Sequence, residues 1–174
     1  MTVSIQDIKK LRELTQAGMS DCKKALEETD SFEAAVKWIR EKFSKIAAKR
    51  EAREASQGIV IAKTEGNYGA VMALKCETES VANNDRFQEL ANNIIDLIMA
   101  QKPANVEALL ALPLQESTVA DVITERSGAC GEKMEVVFEY VEGPTVVAYN
   151  HFNHMLSAVV AFNQETSADL KEVA

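Results

Sequence analysis

Glu77 and Glu79 stand two residues apart in L-K-C-E-T-E-S-V-A-N-N-D, residues 74 to 85, beside Cys76. On a strand that spacing puts both carboxylates on one face, as general acid and base chemistry requires. A glycosidase, however, sets its carboxyl groups on opposite sides of the scissile bond, so a solvent-facing edge explains the pair better. His151 and His154 are the only histidines and invite a metal reading. Their odd separation on a strand points them to opposite faces, which defeats joint ligation unless a bulge intervenes. Cys76 or Cys130 beside a histidine would make a nucleophilic dyad, but no local signature accompanies either, and a buried thiol is the expected state. Neither G-x-x-x-x-G-K-[ST] nor G-x-G-x-x-G occurs, so the chain carries no recognisable phosphate cradle. The expectation is a binding protein, not an enzyme, with no catalytic residue, no metal site and no cofactor.

Composition agrees with that reading. The 174 residues are 47% hydrophobic, enough for one domain or for a small module plus a larger one. The three cysteines, Cys22, Cys76 and Cys130, have no CxxC spacing and fit neither a disulfide framework nor a zinc site, which points to the cytoplasm. M-T-V-S-I-Q-D-I-K-K has no apolar run long enough for a signal peptide, and nowhere does an apolar run reach the length expected of a membrane span. A net charge of -8 argues against direct nucleic acid binding, yet residues 1 to 56 sum to +2 and the remainder to -10. Lys42, Lys45, Lys49 and Arg53 recur at helical spacing as one basic stripe, either a solvated face or a contact for an acidic surface.

The elements that must position these residues follow from periodicity. Ile5, Ile8, Leu11 and Leu14 predict a helix ending at Q-A-G-M, with Gly18 as the break and Ser20 as the next cap. Asp30 and Glu33 form a capping-box pattern ahead of a third helix bearing Phe32, Val36, Ile39 and Phe43. Residues 1–43 thus read as a three-helix module, and 44–57, alanine-rich and charged, as a partly helical linker. Beyond it the period becomes strand-like. G-I-V-I-A-K-T-E and A-V-M-A-L-K-C-E-T-E flank the turn G-N-Y-G, and three more strands are expected in M-E-V-V-F-E-Y-V, V-V-A-Y-N-H-F-N-H and M-L-S-A-V-V-A-F. Between them Phe87, Leu90, Ile94, Leu97 and Ile98 share a helix face, and a shorter helix begins at Thr118 to Asp121 and runs through Arg126. Residues 58–174 are expected to form an α+β core, an antiparallel sheet with helices on one face, with 58–140 as a first half and 141–174 as the start of a second.

The segment L-R-E-L-T-Q-A-G-M-S-D-C-K-K-A-L-E-E closely resembles the opening of the elongation factor Ts family, the guanine nucleotide exchange factors for elongation factor Tu. A-A-K-R-E-A-R-E-A-S-Q-G, G-N-Y-G, K-C-E-T-E-S-V-A and V-V-A-Y-N-H follow in the family's order. The resemblance implies a ubiquitin-associated-type three-helix module ahead of the α+β core. It implies partner contacts at Arg12, Met19, Ser20 and His151. It also implies that Thr78, Glu79, Ser80 and Val81 form the probe that disturbs the partner's magnesium and so releases GDP, where the family reads T-D-F-V.

Three residues that depart from the family's pattern qualify the carry-over. Glu79 keeps the family's charge on a longer arm, while Ser80 removes an apolar wedge whose burial is worth about 1.5 to 3 kcal/mol. Ser20 likewise replaces the second of two methionines, whereas Arg12 and Met19 are retained. At the end, S-A-D-L-K-E-V-A begins a helix, with Ser167 as cap and Leu170 and Val173 on one side, and then stops without a C-cap. The expectation is a fragment, or a short form that completes itself as a homodimer. The competing function is a non-catalytic module whose helical bundle binds a peptide or helix in a groove.

Overall fold

The computed structural model describes residues 3–166. The helix expected around Ser167, Leu170 and Val173 lies outside the described residues. In chain order the elements are α1 (Ile5–Thr15), α2 (Met19–Glu28), α3 (Phe32–Arg50), β1 (Gln57–Glu65), β2 (Tyr68–Cys76), α4 (Glu79–Ala82), α5 (Asp85–Gln101) and α6 (Val106–Ala111). There follow β3 (Pro113–Leu114), β4 (Ser117–Thr118), α7 (Val119–Cys130), β5 (Glu135–Glu142), β6 (Thr145–Asn150) and β7 (Ser157–Phe162). The class is α+β, as read from the sequence. Two units divide the chain: Met1–Arg53 with Asp121–Lys133, and Glu54–Ala120 with Met134–Ala174.

In the first unit, Leu11, Cys22, Leu26, Ile39 and Phe43 are the centre of a core shared by the first three helices. Ile8 and Leu11 are buried, but Ile5 and Leu14 of the same stripe are 70% and 53% exposed. Steps of three residues walk the stripe about 60° around the helix each time, so its two ends leave the core. The turn after α1 rests on Gln16, at φ 64, and Gly18 is extended at φ -61, so the chain reverses two positions earlier than the glycine suggests. Gly18 then caps α2 without a side chain, which makes Met19 and Ser20 the first two helical residues and takes the cap from Ser20. The expected box of Asp30 and Glu33 is likewise displaced. Ser31 caps α3, its Oγ accepting from the Ala34 N–H at 3.1 Å.

Helix α3 runs past position 43 to Arg50, through the first half of the stretch expected as a linker, because Ile46 packs against the same core. Lys42 of the basic stripe is engaged: it pairs with Asp21 and lies over the Trp38 ring. Helix α7 continues beyond Arg126 to Cys130, and its C-terminal residues belong to this unit. Gly128 permits the approach, since a Cβ there would stand 2.3 Å from Phe43 Cβ. Arg40 Nε reaches Glu125 Oε1 at 2.7 Å across the same pair of helices.

In the second unit β1, β2 and β5 form an antiparallel sheet in that order. Gly66, at φ 60, takes the first position of the two-residue loop joining β1 to β2, where a II′ turn places glycine. Tyr68, Ala70, Met72, Leu74 and Cys76 alternate along β2 and are buried. Helix α5 packs on β1 and β2 and buries Phe87, Leu90, Ile94, Ile95 and Ile98. Among the described residues β6 and β7 form a separate two-stranded sheet, where the sequence suggested strands of one sheet. This ribbon crosses the opposite face at Gly69, where a Cβ would lie 2.5 Å from Val159 Cγ2 and 2.6 Å from Val146 Cγ1.

Candidate partner-binding surface

Strand β2 ends at Cys76, and the chain crosses to α5 through two consecutive caps. Thr78 Oγ1 accepts from the Val81 N–H at 3.4 Å to open α4, and Asn84 Oδ1 accepts from the Arg86 N–H at 3.1 Å to open α5. Short polar side chains favour this, because they satisfy helix N–H groups that would otherwise lack partners. The double cap holds Thr78, Glu79 and Ser80 exposed while Ala82 anchors the turn in the core, with Val81 half-buried between.

Glu77 and Glu79 therefore do not share a strand face. The strand stops before either, and Glu79 is the first residue of α4. The histidines also leave the strand. β6 ends at Asn150, and His151 to Leu156 form a turn in which the His154 N–H donates to His151 O at 3.0 Å, with His154 at φ 56. The metal argument from strand alternation thus rested on the wrong local structure. Among the described residues no three His, Cys, Asp or Glu side chains gather to hold a metal ion.

The thiols donate to backbone oxygens: Cys22 to Ala17 O at 3.7 Å, Cys76 to Thr78 O at 3.3 Å, and Cys130 to Ser127 O at 3.6 Å. Burial pushes the Cys22 thiol up from its ordinary value, away from the reactive thiolate.

The structure brings the junction and the ribbon's turn together. Glu79 and Asn83 of the junction, Gln57 and Gln88, and His154 and Met155 of the turn line one cleft of about 330 Å³. Of the residues singled out in the sequence, Glu79 and His154 line this cleft, while His151, its Nδ1 2.6 Å from Tyr149 Oη, does not. Sequence reasoning weighed His154 as a metal ligand, not as a neighbour of Glu79, and did not find Met155, because no periodic signal marks a loop residue that meets its neighbour across the sheet. Arg12, Met19 and Ser20 belong to the first unit, all exposed, with Met19 at 47%.

Comparison with known proteins decides the family. The family model described as Elongation factor TS matches residues 77–174. The elongation factor Ts of Porphyromonas gingivalis is 50% identical over 167 residues, covering 94% of this chain and 61% of that protein. That of Bacteroides fragilis is 48% identical over 178 residues, covering 100% and 54%. The chain belongs to the elongation factor Ts family. It spans about half to three-fifths of the length of these family members. Among the described residues of this family member no helix is long and apolar enough to cross a membrane.

Proposed function

We propose that this chain is a cytoplasmic exchange factor that binds elongation factor Tu and promotes GDP release by disturbing the partner's magnesium and phosphate site. The observation that supports it is the junction: Glu79 is held exposed by a capped turn at a cleft, in a family whose members are named as elongation factors. Mg²⁺ requires near-octahedral oxygen geometry and holds GDP through its phosphates. A carboxylate placed beside it competes with its oxygen ligands for the metal and repels phosphate, and no covalent step is needed. Linkage makes the effect reciprocal: as the chain weakens GDP binding, GDP weakens the chain's binding by the same factor. In this reading Thr78, Glu79, Ser80 and Val81 act at the nucleotide site, and Arg12, Met19, Ser20 and His151 make further contacts.

The test is release of labelled GDP from elongation factor Tu with and without the chain. Acceleration that rises with chain concentration and saturates is expected. A second reading has its own support in the first unit, where Ile5, Leu14 and Met19 are exposed and apolar, a surface suited to a helix or peptide. Binding to the helical unit with no change in GDP release would put that reading first.

A further inference from the structure

The three-stranded sheet has two edges, and they are finished differently. The β1 edge is closed. The Val60 N–H donates to His154 O at 2.8 Å, and the Asn150 amide bonds Ala62 as a neighbouring strand would, Oδ1 accepting from its N–H at 2.7 Å and Nδ2 donating to its carbonyl at 2.9 Å. β5 forms the other edge, and among the described residues no strand pairs with its outer side. The phase of the ladder fixes which groups face outward. The Gly143 N–H donates to Asn67 O at 2.9 Å, so Asn67 and every second residue along β2, from Gly69 to Lys75, turn their backbone groups toward β5. Their partners Val141, Glu139, Val137 and Glu135 turn theirs back, which directs the N–H and C=O of Val136, Phe138, Tyr140 and Glu142 away from the sheet. The same phase puts Val60 and Ala62 on the outside of β1, where their bonds are found. Side chains on both faces of β5 reach solvent: Val137 is 47% exposed and Tyr140 43%, with Glu139 and Glu142 exposed as well.

We infer that the outer edge of β5 is a docking site for an extended, lysine- or arginine-rich segment of another protein, which adds a strand beside β5. A row of outward donors and acceptors is the template for such an addition, and main-chain bonds supply the affinity. What selects the occupant is charge. β5 carries Glu135, Glu139 and Glu142 and no basic residue; Lys75 answers Glu135 at 2.5 Å, while among the described residues no ion pair engages Glu139 or Glu142. The unit as a whole holds 5 Lys+Arg against 15 Asp+Glu. Glu139 and Glu142 occupy odd and even positions and so lie on opposite faces of the strand, where a basic side chain on either face of the added strand finds a carboxylate. Each face also offers apolar surface, Val137 beside Glu139 and, beside Glu142, Tyr140, whose ring stacks on Tyr68 with centroids 5.5 Å apart. The same glutamates turn away a second copy of the chain, whose edge carries the same charge. None of these residues is among those proposed to meet elongation factor Tu, and the inference stands without that reading.

The experiment is titration of the full chain with an end-capped peptide of alternating lysine and valine, followed by calorimetry and by residue-resolved amide hydrogen exchange. In the free chain the N–H groups of Val137, Glu139 and Val141, directed at β2, should exchange slowly, and those of Phe138, Tyr140 and Glu142 fast. Peptide at about ten times its dissociation constant should slow the second set about ten-fold. The same peptide with glutamate in place of lysine should not bind. Glu139→Lys combined with Glu142→Lys, both exposed, should weaken the lysine peptide about ten-fold with melting unchanged. Failure of the lysine peptide to bind would overturn the inference. So would binding that leaves the second set fast, which is adherence to an acidic surface only, and so would equal binding of the glutamate peptide or of the charge-reversed chain, which removes charge as the selector. A second set already slow in the free chain overturns it as well: with a dimer in sedimentation the edge belongs to a second copy, and with a monomer it is closed by the chain's own residues.

Discussion

Glu79 and Ser80 are adjacent, exposed and outside the core, so their side chains can be changed with little effect on the fold. Under the proposed function they act in opposite directions. Ser80→Phe restores the apolar wedge that the family resemblance implies and should speed GDP release, whereas Glu79→Ala removes the competing charge and should slow it. The measurement is the GDP off-rate at saturating chain with magnesium varied, because a probe acting through the metal becomes redundant once the metal is chelated. Off-rates unchanged at every magnesium level would make the junction ordinary surface. Glu125 offers a test unconnected with the partner. Burial raises its carboxyl above the usual range, and Arg40, 2.7 Å away, pulls the other way without cancelling it. A raised folded pKa means that the contribution to stability is full below the unfolded value and is lost as pH rises through the folded one. Glu125→Gln should therefore gain on the unaltered protein in thermal melts as pH rises from about 4 to 7; a constant difference would show that the pair compensates fully. At this scale the sequence was legible where chemistry is local. Glu79 was found because a strand runs into small polar residues, whereas His154 was not placed beside it, since that meeting depends on a ribbon folding back across the sheet.

At the scale of elements, local signals identified α1 to α3, α5, α7 and the five longer strands but not α4, α6 or the β3–β4 pair, while tertiary packing decided their ends and company. V-A-D-V-I-T-E-R-S-G-A-C has no clear apolar stripe, so nothing in its pattern announces that residues 121–133 join the first unit. The decisive residue is a glycine, whose missing side chain is not a periodic signal. Gly128→Ala would set a methyl against the backbone and Cβ of Phe43, and overpacking of that kind costs roughly 1 to 3 kcal/mol. Melting of the variant should fall accordingly, with the loss confined to probes in the helical unit such as Trp38 fluorescence. An unchanged melt would mean that α3 and α7 shift apart freely. The ribbon illustrates the same limit from the other side. β6 and β7 alternate like ordinary strands, but Gly69 admits Val146 and Val159 against the sheet's face, so they stack on β2 instead of extending its ladder. Asn150 then closes the edge of β1, which an open strand would leave as a site for misplaced pairing.

At the scale of the whole molecule, the contacts proposed for one partner are divided between two units, each with its own buried core. Met19 belongs to the first and is 47% exposed; His151 belongs to the second. If both touch elongation factor Tu, their effects on binding free energy should add, because they belong to different units. Met19→Ala should cost about 1 kcal/mol in binding with melting unchanged, a modest value for a contact away from the centre of an interface. Combined with His151→Ala, the dissociation constant should rise by the product of the two single factors. The same titrations separate the alternatives. If Met19 only packs its own helices, Met19→Ala lowers melting and leaves affinity alone, and the first unit has no proposed contact at that position. If the double variant binds no worse than the weaker single one, the two units do not engage the partner together, and each must be binding it in a separate mode. Additive losses with intact melting are the outcome that a single complex held by both units requires.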